Sequence, residues 1–281
     1  MRSLVAMGNT RHYSSAISSL FGRFAGHRFP APVQRMINRS YVRLMGLDMR
    51  EFEAPERYES LNALFTRALK ARREMDPDPS VVIAPCDALI SDRGEIREGQ
   101  AYQIKGMPYD TAALLGEAYG EEAESLEGGA YANFYLSPRD YHRYHAPFDL
   151  SVEGVVHLPG KLYPVNMPLL KNKLNLFIEN ERVVIAARDA KKRRHFLILV
   201  GALNVGKMVV TFEPRIHTNA SSRRPTIYRY EEAKNLAKGE LFGWFEMGST
   251  IVMLSEPGCI EYDLQIGQKV AFAQAIGRLK E

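Results

Sequence analysis

Two Asp-Pro pairs in the run Met75-Asp76-Pro77-Asp78-Pro79 divide the chain into parts that obey different periodicities. Proline lacks a backbone N–H and disfavours helical geometry in the residue before it, so no helix continues across this point. Upstream, apolar residues recur at helical spacing. Ile17, Leu20, Phe21 and Phe24 share one face. After Pro30 and Pro32 a second helix is expected, with Val33, Met36, Ile37, Tyr41 and Leu44 on one side, flanked by Arg35, Arg39 and Arg43. A third segment groups Leu61, Leu64, Phe65, Ala68 and Leu69 and ends in Lys70-Ala71-Arg72-Arg73, cations that suit the negative end of a helix dipole.

Downstream, short runs rich in β-branched and aromatic residues alternate with glycine-bearing turns. Strands are expected at Val81 to Ala84, Ala88 to Ser91, Tyr131 to Leu136, Val152 to His157, Arg182 to Arg188, Phe196 to Leu203, Met208 to Phe212, Thr250 to Leu254 and Lys269 to Ala275. One alanine- and acid-rich helix is expected near Thr111 to Glu127. The fold class is therefore α+β. Residues 1–75 form an N-terminal amphipathic helical layer, and residues 76–281 form a mainly antiparallel β-sandwich or barrel-like core.

No acidic residue precedes Asp48, whereas seven arginines do, although the net charge of the whole chain is only +4. A basic amphipathic helix can lie in the headgroup region of an anionic bilayer, each arginine contributing on the order of 1 kcal/mol. The same pattern also fits a helical layer packed on the body with its arginines in water. The N-terminus lacks the apolar stretch of a secretory signal, while its Arg- and Ser-rich composition overlaps with that of mitochondrial transit peptides. The longest apolar run, Phe196 to Val200 leading into Gly201-Ala202-Leu203, is far shorter than the roughly 20 residues of a spanning helix. Membrane contact, if any, is peripheral. Cys86 and Cys259 lack metal-type spacing and read as reduced, buried thiols.

Near the C-terminus, Gly248-Ser249-Thr250 precedes the apolar run Ile251-Val252-Met253-Leu254. By itself this is a turn feeding a buried strand. Its chemical reading rests on glycine's freedom to let a hydroxyl approach the Gly248 carbonyl. A serine hydroxyl is a weak nucleophile, and it then needs a base and something to orient that base. In Ser137-Pro138-Arg139-Asp140-Tyr141-His142-Arg143-Tyr144-His145, the two histidines stand three apart, which on a helical turn points both into one space. They could serve as base and acid, as metal ligands or as surface groups. No cysteine or carboxylate cluster completes a zinc set nearby, so no metal is expected.

Together, Asp87 in Pro85-Cys86-Asp87, the run from Tyr135 to His145 and Met247-Gly248-Ser249-Thr250 resemble the proenzymes of bacterial-type phosphatidylserine decarboxylases. The likeness runs from about residue 50 to the end. It includes Asn166 in Tyr163-Pro164-Val165-Asn166, the stretch Asn180-Glu181-Arg182-Val183-Val184, and Val200-Gly201-Ala202 followed by Val205-Gly206. Cys86-Asp87-Ala88 stands where the family usually has Ala-Asp-Gly, and Met247 where leucine is commoner.

The resemblance implies a triad of Asp87, His145 and Ser249 in which Asp87 fixes the imidazole tautomer, His145 takes the Ser249 proton and Ser249 attacks Gly248. Self-cleavage would give a β chain of residues 1–248 and an α chain of residues 249–281, held as a heterodimer, with Ser249 converted to a covalent pyruvoyl cofactor. That group would form a Schiff base with phosphatidylserine and release CO2, leaving phosphatidylethanolamine. His142 would be the acid that reprotonates the substrate carbon. The resemblance also implies an anionic membrane surface as partner, at the cytoplasmic face of a bacterial inner membrane or at the mitochondrial inner membrane in a eukaryote. A homo-oligomer stays open, and no nucleic acid partner is expected. His12, His27, His157, His195 and His217 have no comparable setting and read as structural or exposed. Two other classes remain: a pyruvoyl-dependent decarboxylase of a soluble amino acid, and a non-enzymatic membrane-binding β-sandwich.

Overall fold

A computed structural model describes residues 22–104, 106–203, 207–219, 224–246 and 249–281. Its largest element is an eight-stranded sheet. The spatial order is β11 (Thr226–Leu236), β7 (Leu150–Leu158), β8 (Arg182–Arg188), β9 (Arg194–Val200), β13 (Ser249–Ser255), β5 (Ala130–Leu136), β2 (Ala88–Glu95) and β15 (Lys269–Val270), numbered in chain order. Every neighbouring pair is antiparallel. Three smaller sheets complete the β structure of the described residues. They are β6 (Arg143–His145), β12 (Leu241–Phe245) and β10 (Met208–Val210); β1 (Val81–Ile83), β16 (Ala275–Leu279) and β14 (Ile260–Tyr262); and the hairpin of β3 (Gln100–Ile104) and β4 (Met107–Asp110).

The central strands β8 and β9 are buried along nearly their whole length, which is why they read as unbroken apolar runs rather than alternating ones. The edge strand β11 is different. It alternates half-buried Tyr228 and Tyr230 with exposed charged residues, a pattern that discourages pairing with another chain. The expected strand Lys269 to Ala275 is two short strands, interrupted where Ala273 adopts a positive φ of 75°. The expected helix Thr111 to Glu127 is likewise broken into α3 (Thr111–Leu115), capped by the Asp110 carboxylate accepting from Ala113 N–H, and a 3-10 turn at Glu121–Leu126.

On the N-terminal side, α1 (Ala31–Met45) begins after Pro30 and ends at Gly46 in the left-handed region. There the N–H groups of Gly46 and Leu47 both return to the Val42 carbonyl. The inner face of α1 differs from the expected one. Gln34 and Asn38 are its buried residues, and Asn38 Nδ2 donates to the carbonyls of Pro55 and Tyr58 at 2.8 and 2.9 Å. Val33, Met36 and Leu44 are instead 40%, 62% and 83% exposed, and only Ile37, Tyr41 and Val42 pack inward, around Ala25, Leu61 and Leu64. Buried backbone carbonyls need donors more than this interface needs further apolar contact, so two amides win the inner face. The third segment is also shorter than its periodicity suggests. Here α2 spans Leu61–Phe65 with Ser60 as N-cap, and Leu69 bridges to Phe52, so Lys70 to Arg73 are not the last turn of a helix. Ile17, Leu20 and Phe21 lie outside the described residues.

Gly243 lies in the middle strand of the β6–β12–β10 sheet, and a Cβ there would come within 1.9 Å of the Val209 carbonyl oxygen and 2.3 Å of the Tyr144 ring. Backbone on one side and a fully buried ring on the other leave no room to relax. The Gly243→Ala variant is expected to lose at least about 2 kcal/mol of stability, read as a lowered urea midpoint. A midpoint within error of wild type would show that this sheet opens easily.

Candidate active site

The register of the large sheet sets the geometry. Ser249 opens β13 opposite Leu136, the last residue of β5, and Thr250 sits between Tyr135 on one side and Val200 on the other. On the next strand Leu89 pairs with Tyr135. One end of the sheet therefore carries Ser249, Leu136 and Ala88 side by side, with Asp87 just beyond, roughly 10 Å across two strand spacings from the Ser249 backbone. Gly248, the expected cleavage partner, lies outside the described residues, as does Met247.

Asp87 and His145 meet around Phe272. The Asp87 carboxylate accepts the Phe272 N–H at 2.8 Å and a two-nitrogen grip from Arg73 at 2.5 and 3.1 Å. The His145 ring stacks on the Phe272 ring with centroids 3.7 Å apart, and His145 N–H donates to the Pro85 carbonyl. No hydrogen bond joins Asp87 to His145. The imidazole is fixed by other groups: Nδ1 lies 3.1 Å from the Gly239 carbonyl and Nε2 lies 3.0 Å from Tyr141 Oη. A carbonyl only accepts, so Nδ1 carries the proton and Nε2 is the basic nitrogen, receiving the tyrosine hydroxyl. Burial lowers the His145 pKa from 6.5 to about 4, opposed by the Gly239 carbonyl and aided by the charges of Arg143, Arg72 and Arg73. A cleft lined by His145, Tyr141, Arg143, Arg72, Leu69 and Phe272 opens beside it.

The two histidines do not share one space. His145 ends the strand β6 and His142 immediately precedes it, so the backbone here is extended rather than helical, and residues three apart point to opposite sides. His142 is fully buried, packs on Phe65 with ring centroids 4.0 Å apart, and donates from Nδ1 to the Asp140 carbonyl at 2.8 Å. Its Nε2 has no partner among the described residues. Burial, reinforced by the Arg67 charge, lowers its pKa to about 3. The main chain of His142 in turn receives the Phe245 N–H from the strand that leads toward Ser249. Thr250, the residue after Ser249, also has a buried hydroxyl without a partner among the described residues.

Several residues quoted from the sequence hold the scaffold. Asn166 caps α4 (Met167–Asn172). Asn180 exchanges hydrogen bonds with the Tyr163 backbone and donates to the Gly201 carbonyl, pinning a loop beside the strand end that faces Ser249. Arg182 spends its donors on the carbonyls of Ala113, Leu114, Ile178 and Asn180. Cys86 and Cys259 are buried free thiols. His157 is a buried structural histidine paired with Glu181 at 2.8 Å. A second Ser-His-Asp arrangement exists at the far end of β13, with His195 Nδ1 2.9 Å from Ser255 Oγ and Nε2 3.4 Å from Asp189. All three residues are buried and six strand positions, about 20 Å, from Ser249. It is a closed strut without access for a substrate.

Tyr141, Arg73 and Arg67, which touch His145, Asp87 and the Asp140 carbonyl that His142 also binds, were not singled out from the sequence. Tyr141 lay inside the quoted motif, whereas the two arginines gave no local signal. Among the described residues no group of three or more His, Cys, Asp and Glu is arranged to hold a metal ion.

With folded-state values near 3 and 4, below the ordinary 6.5, both histidines take up protons in the unfolded chain first. Their contribution to stability is intact above about pH 6.5 and is lost on acidification toward pH 4, at up to about 1.4 kcal/mol per pH unit for each. Urea unfolding between pH 7.5 and 4.5 should show this decline, and His142→Asn should decline less steeply. Equal slopes would mean that His142 is already charged in the fold.

The family described as phosphatidylserine decarboxylase matches residues 61–278 of this chain. A phosphatidylserine decarboxylase proenzyme of Helicobacter pylori is 46% identical over 264 residues, covering 94% of this chain and 97% of that protein. The proenzyme of Campylobacter jejuni is 41% identical over 268 residues, covering 94% and 98%. That of Myxococcus xanthus is 36% identical over 268 residues, covering 94% of each. The match takes in the N-terminal layer contacts from Leu61 onward, the Ser137 to His145 run and the strand that Ser249 opens, and with it the chain belongs to the phosphatidylserine decarboxylase family.

Proposed function

We propose that this chain is a proenzyme that cuts itself between Gly248 and Ser249 and, once cut, converts phosphatidylserine to phosphatidylethanolamine and CO2. The observation that carries the reading is the position of Ser249. It is the first residue of a central strand, in register with the end of β5, from which the Ser137 to His145 run departs. In this family the name proenzyme is attached to the relatives themselves.

His145 Nε2 is the base. It takes the Ser249 hydroxyl proton, directly or through Tyr141 Oη, and Ser249 Oγ attacks the Gly248 carbonyl carbon, moving the acyl group from nitrogen to oxygen. Asp87 is assigned to stabilise the imidazolium, which requires its carboxylate to exchange Arg73 for His145 across Phe272. Loss of the Ser249 α-proton then expels the Gly248 carboxylate, and hydrolysis of the resulting dehydroalanine yields ammonia and a pyruvoyl end on residues 249–281. The residues around the junction fit such a group, since the partnerless Thr250 hydroxyl can donate to a carbonyl and the partnerless His142 Nε2 is an open position where a proton can be taken up. A pyruvoyl group supplies a ketone that condenses with the substrate amine and accepts the electron pair released with CO2. His142 delivers the proton that the substrate carbon takes up. With a value held near 3 it needs a negative group nearby to become charged.

Residues 1–75 serve as the membrane-associating region and residues 76–281 as the catalytic core. The exposed Val33, Met36 and Leu44 of α1 alternate with Arg35, Arg39 and Arg43, which suits shallow insertion into an anionic surface. No helix of the described residues is long and apolar enough to cross a membrane. We assign the working site to the cytoplasmic face of a bacterial inner membrane, with the two chains of the cut proenzyme as a heterodimer.

Intact mass under denaturing conditions tests the cut. Wild type is expected as two fragments parted at Gly248/Ser249, the smaller with pyruvoyl in place of serine, and Ser249→Ala as one chain; active wild type in a single piece sinks the mechanism. A soluble amino-acid decarboxylase would be cut in the same way but would ignore lipid. For the membrane face, the double variant Met36→Glu/Leu44→Glu is expected to lose most flotation with phosphatidylserine vesicles while still cutting itself. Undiminished flotation would move the docking surface elsewhere.

A further inference from the structure

Arg67 is 2% exposed, and no carboxylate among the described residues pairs with it. Its Nη2 donates to the carbonyls of Arg139 and Asp140 at 2.8 and 3.2 Å, and its guanidinium carbon lies 4.4 Å over the Phe52 ring. Nε and Nη1 have no acceptor among the described residues. The contrast with Arg182 is informative. Arg182 is equally buried, yet its Nε, Nη1 and Nη2 all reach carbonyls, which is what a purely structural arginine looks like in this fold.

The loose ends around Arg67 are gathered in one place. Seven buried side-chain polar atoms lack partners among the described residues, and four belong to Arg67, Tyr58 and His142. Arg67 and His142 donate to the same Asp140 carbonyl, and of the surrounding ionisable groups Tyr58 acts most strongly on the Arg67 charge. A buried cation with unused donors is costly, and water-excluded donors left open call for an acceptor. An anion satisfies the charge and the donors together.

We infer that Arg67 receives the phosphodiester anion of the substrate headgroup, at a subsite between the helical layer and the Ser137 to His145 run. The inference rests on the decarboxylase reading above. Of the two anionic groups in the headgroup, the carboxylate gives up its charge as CO2 leaves, so a guanidinium on it would hold the ground state back. The phosphodiester keeps its charge throughout, and binding it adds affinity without opposing the reaction. It also brings negative charge beside His142, whose protonation the Arg67 charge now opposes.

The test compares phosphatidylserine with a counterpart whose phosphodiester is an uncharged methylphosphonate, both in mixed micelles, using the mature enzyme and Arg67→Gln. Appearance of the fragment 249–281 reports that the variant has folded and cut itself. Wild type is expected to show a KM at least about tenfold lower for the charged lipid, and Arg67→Gln to raise that KM about tenfold while the KM for the uncharged lipid stays within about twofold, whatever the change in kcat. Arg67→Lys, which keeps the charge without the planar fork, should narrow the preference to an intermediate value. Equal KM values for the two lipids in wild type overturn the proposal with no variant needed. If Arg67→Gln fails to mature, an undiminished preference in Arg67→Lys overturns it. Failure of the underlying reading looks different: the wild type itself stays uncut or releases no CO2 from phosphatidylserine.

Discussion

The site depends on one strand being held from both sides. In β13, residues Ser249 to Ser255 pair with β5, and Thr250 to Ser255 pair with β9, in a sheet whose middle is buried on both faces. Strand side chains alternate, so a slip of one residue would exchange the side chains fitted into the two buried faces, and close packing on both therefore locks the register. That lock fixes where the strand begins. The same lock bears on the proposed cut, because residues 249–281 supply a central strand of the large sheet and also β14, β15 and β16. If the Gly248–Ser249 bond is cut as proposed, these pairings involve no atom of that bond and would hold the shorter chain in the fold.

Around that strand end the dominant electrostatic fact is desolvation. His142 and His145 are held neutral chiefly because burial penalises their charged forms, and the nearby arginines act in the same direction. A neutral imidazole whose Nδ1–H is tied to a carbonyl presents a basic Nε2, which suits proton removal from a serine. Delivering a proton is the opposite task. In the proposed division His145 takes a proton and His142 gives one, and an anionic group entering next to Arg67 would change the electrostatics at His142 in the sense that its task requires.

Much of the β core was legible because its strands are short, apolar and bounded by turn residues; Arg182 to Arg188 is found with the expected bounds. β11 and β12 were not, the first because an edge strand carries charges, the second because Gly243 breaks the apolar pattern where two neighbours press close. The spacing of His142 and His145 misled for a simple reason. Three residues apart is one face in a helix and opposite faces in a strand, and only tertiary pairing with β12 decides between them. Ser249, Asp87 and the two histidines could be picked out because they sit in a specific motif. Arg67 and Arg73 could not, since what distinguishes them is the company they keep after folding.

That company joins the helical layer to the core. Arg73 holds Glu51 with Nε and Nη2 and Asp87 with Nη1 and Nη2, so one guanidinium ties a residue from before the Asp-Pro break to the carboxylate at the end of the sheet. Tyr41 of α1 lies within 3.4 Å of the Pro138 carbonyl, and Arg67 holds the next two carbonyls of the same turn. The helix whose outer face carries Met36 and Leu44 packs its inner side on Leu61 and Leu64 of α2, and Phe65 of that same short helix packs on the His142 ring. A lipid with two acyl chains leaves a bilayer only at great cost in exposed apolar surface, so a headgroup enzyme must bring its reactive groups within a headgroup's length of the interface. If Met36 and Leu44 lie at the lipid surface as proposed, the helical layer stands between that surface and the Ser137 to His145 run.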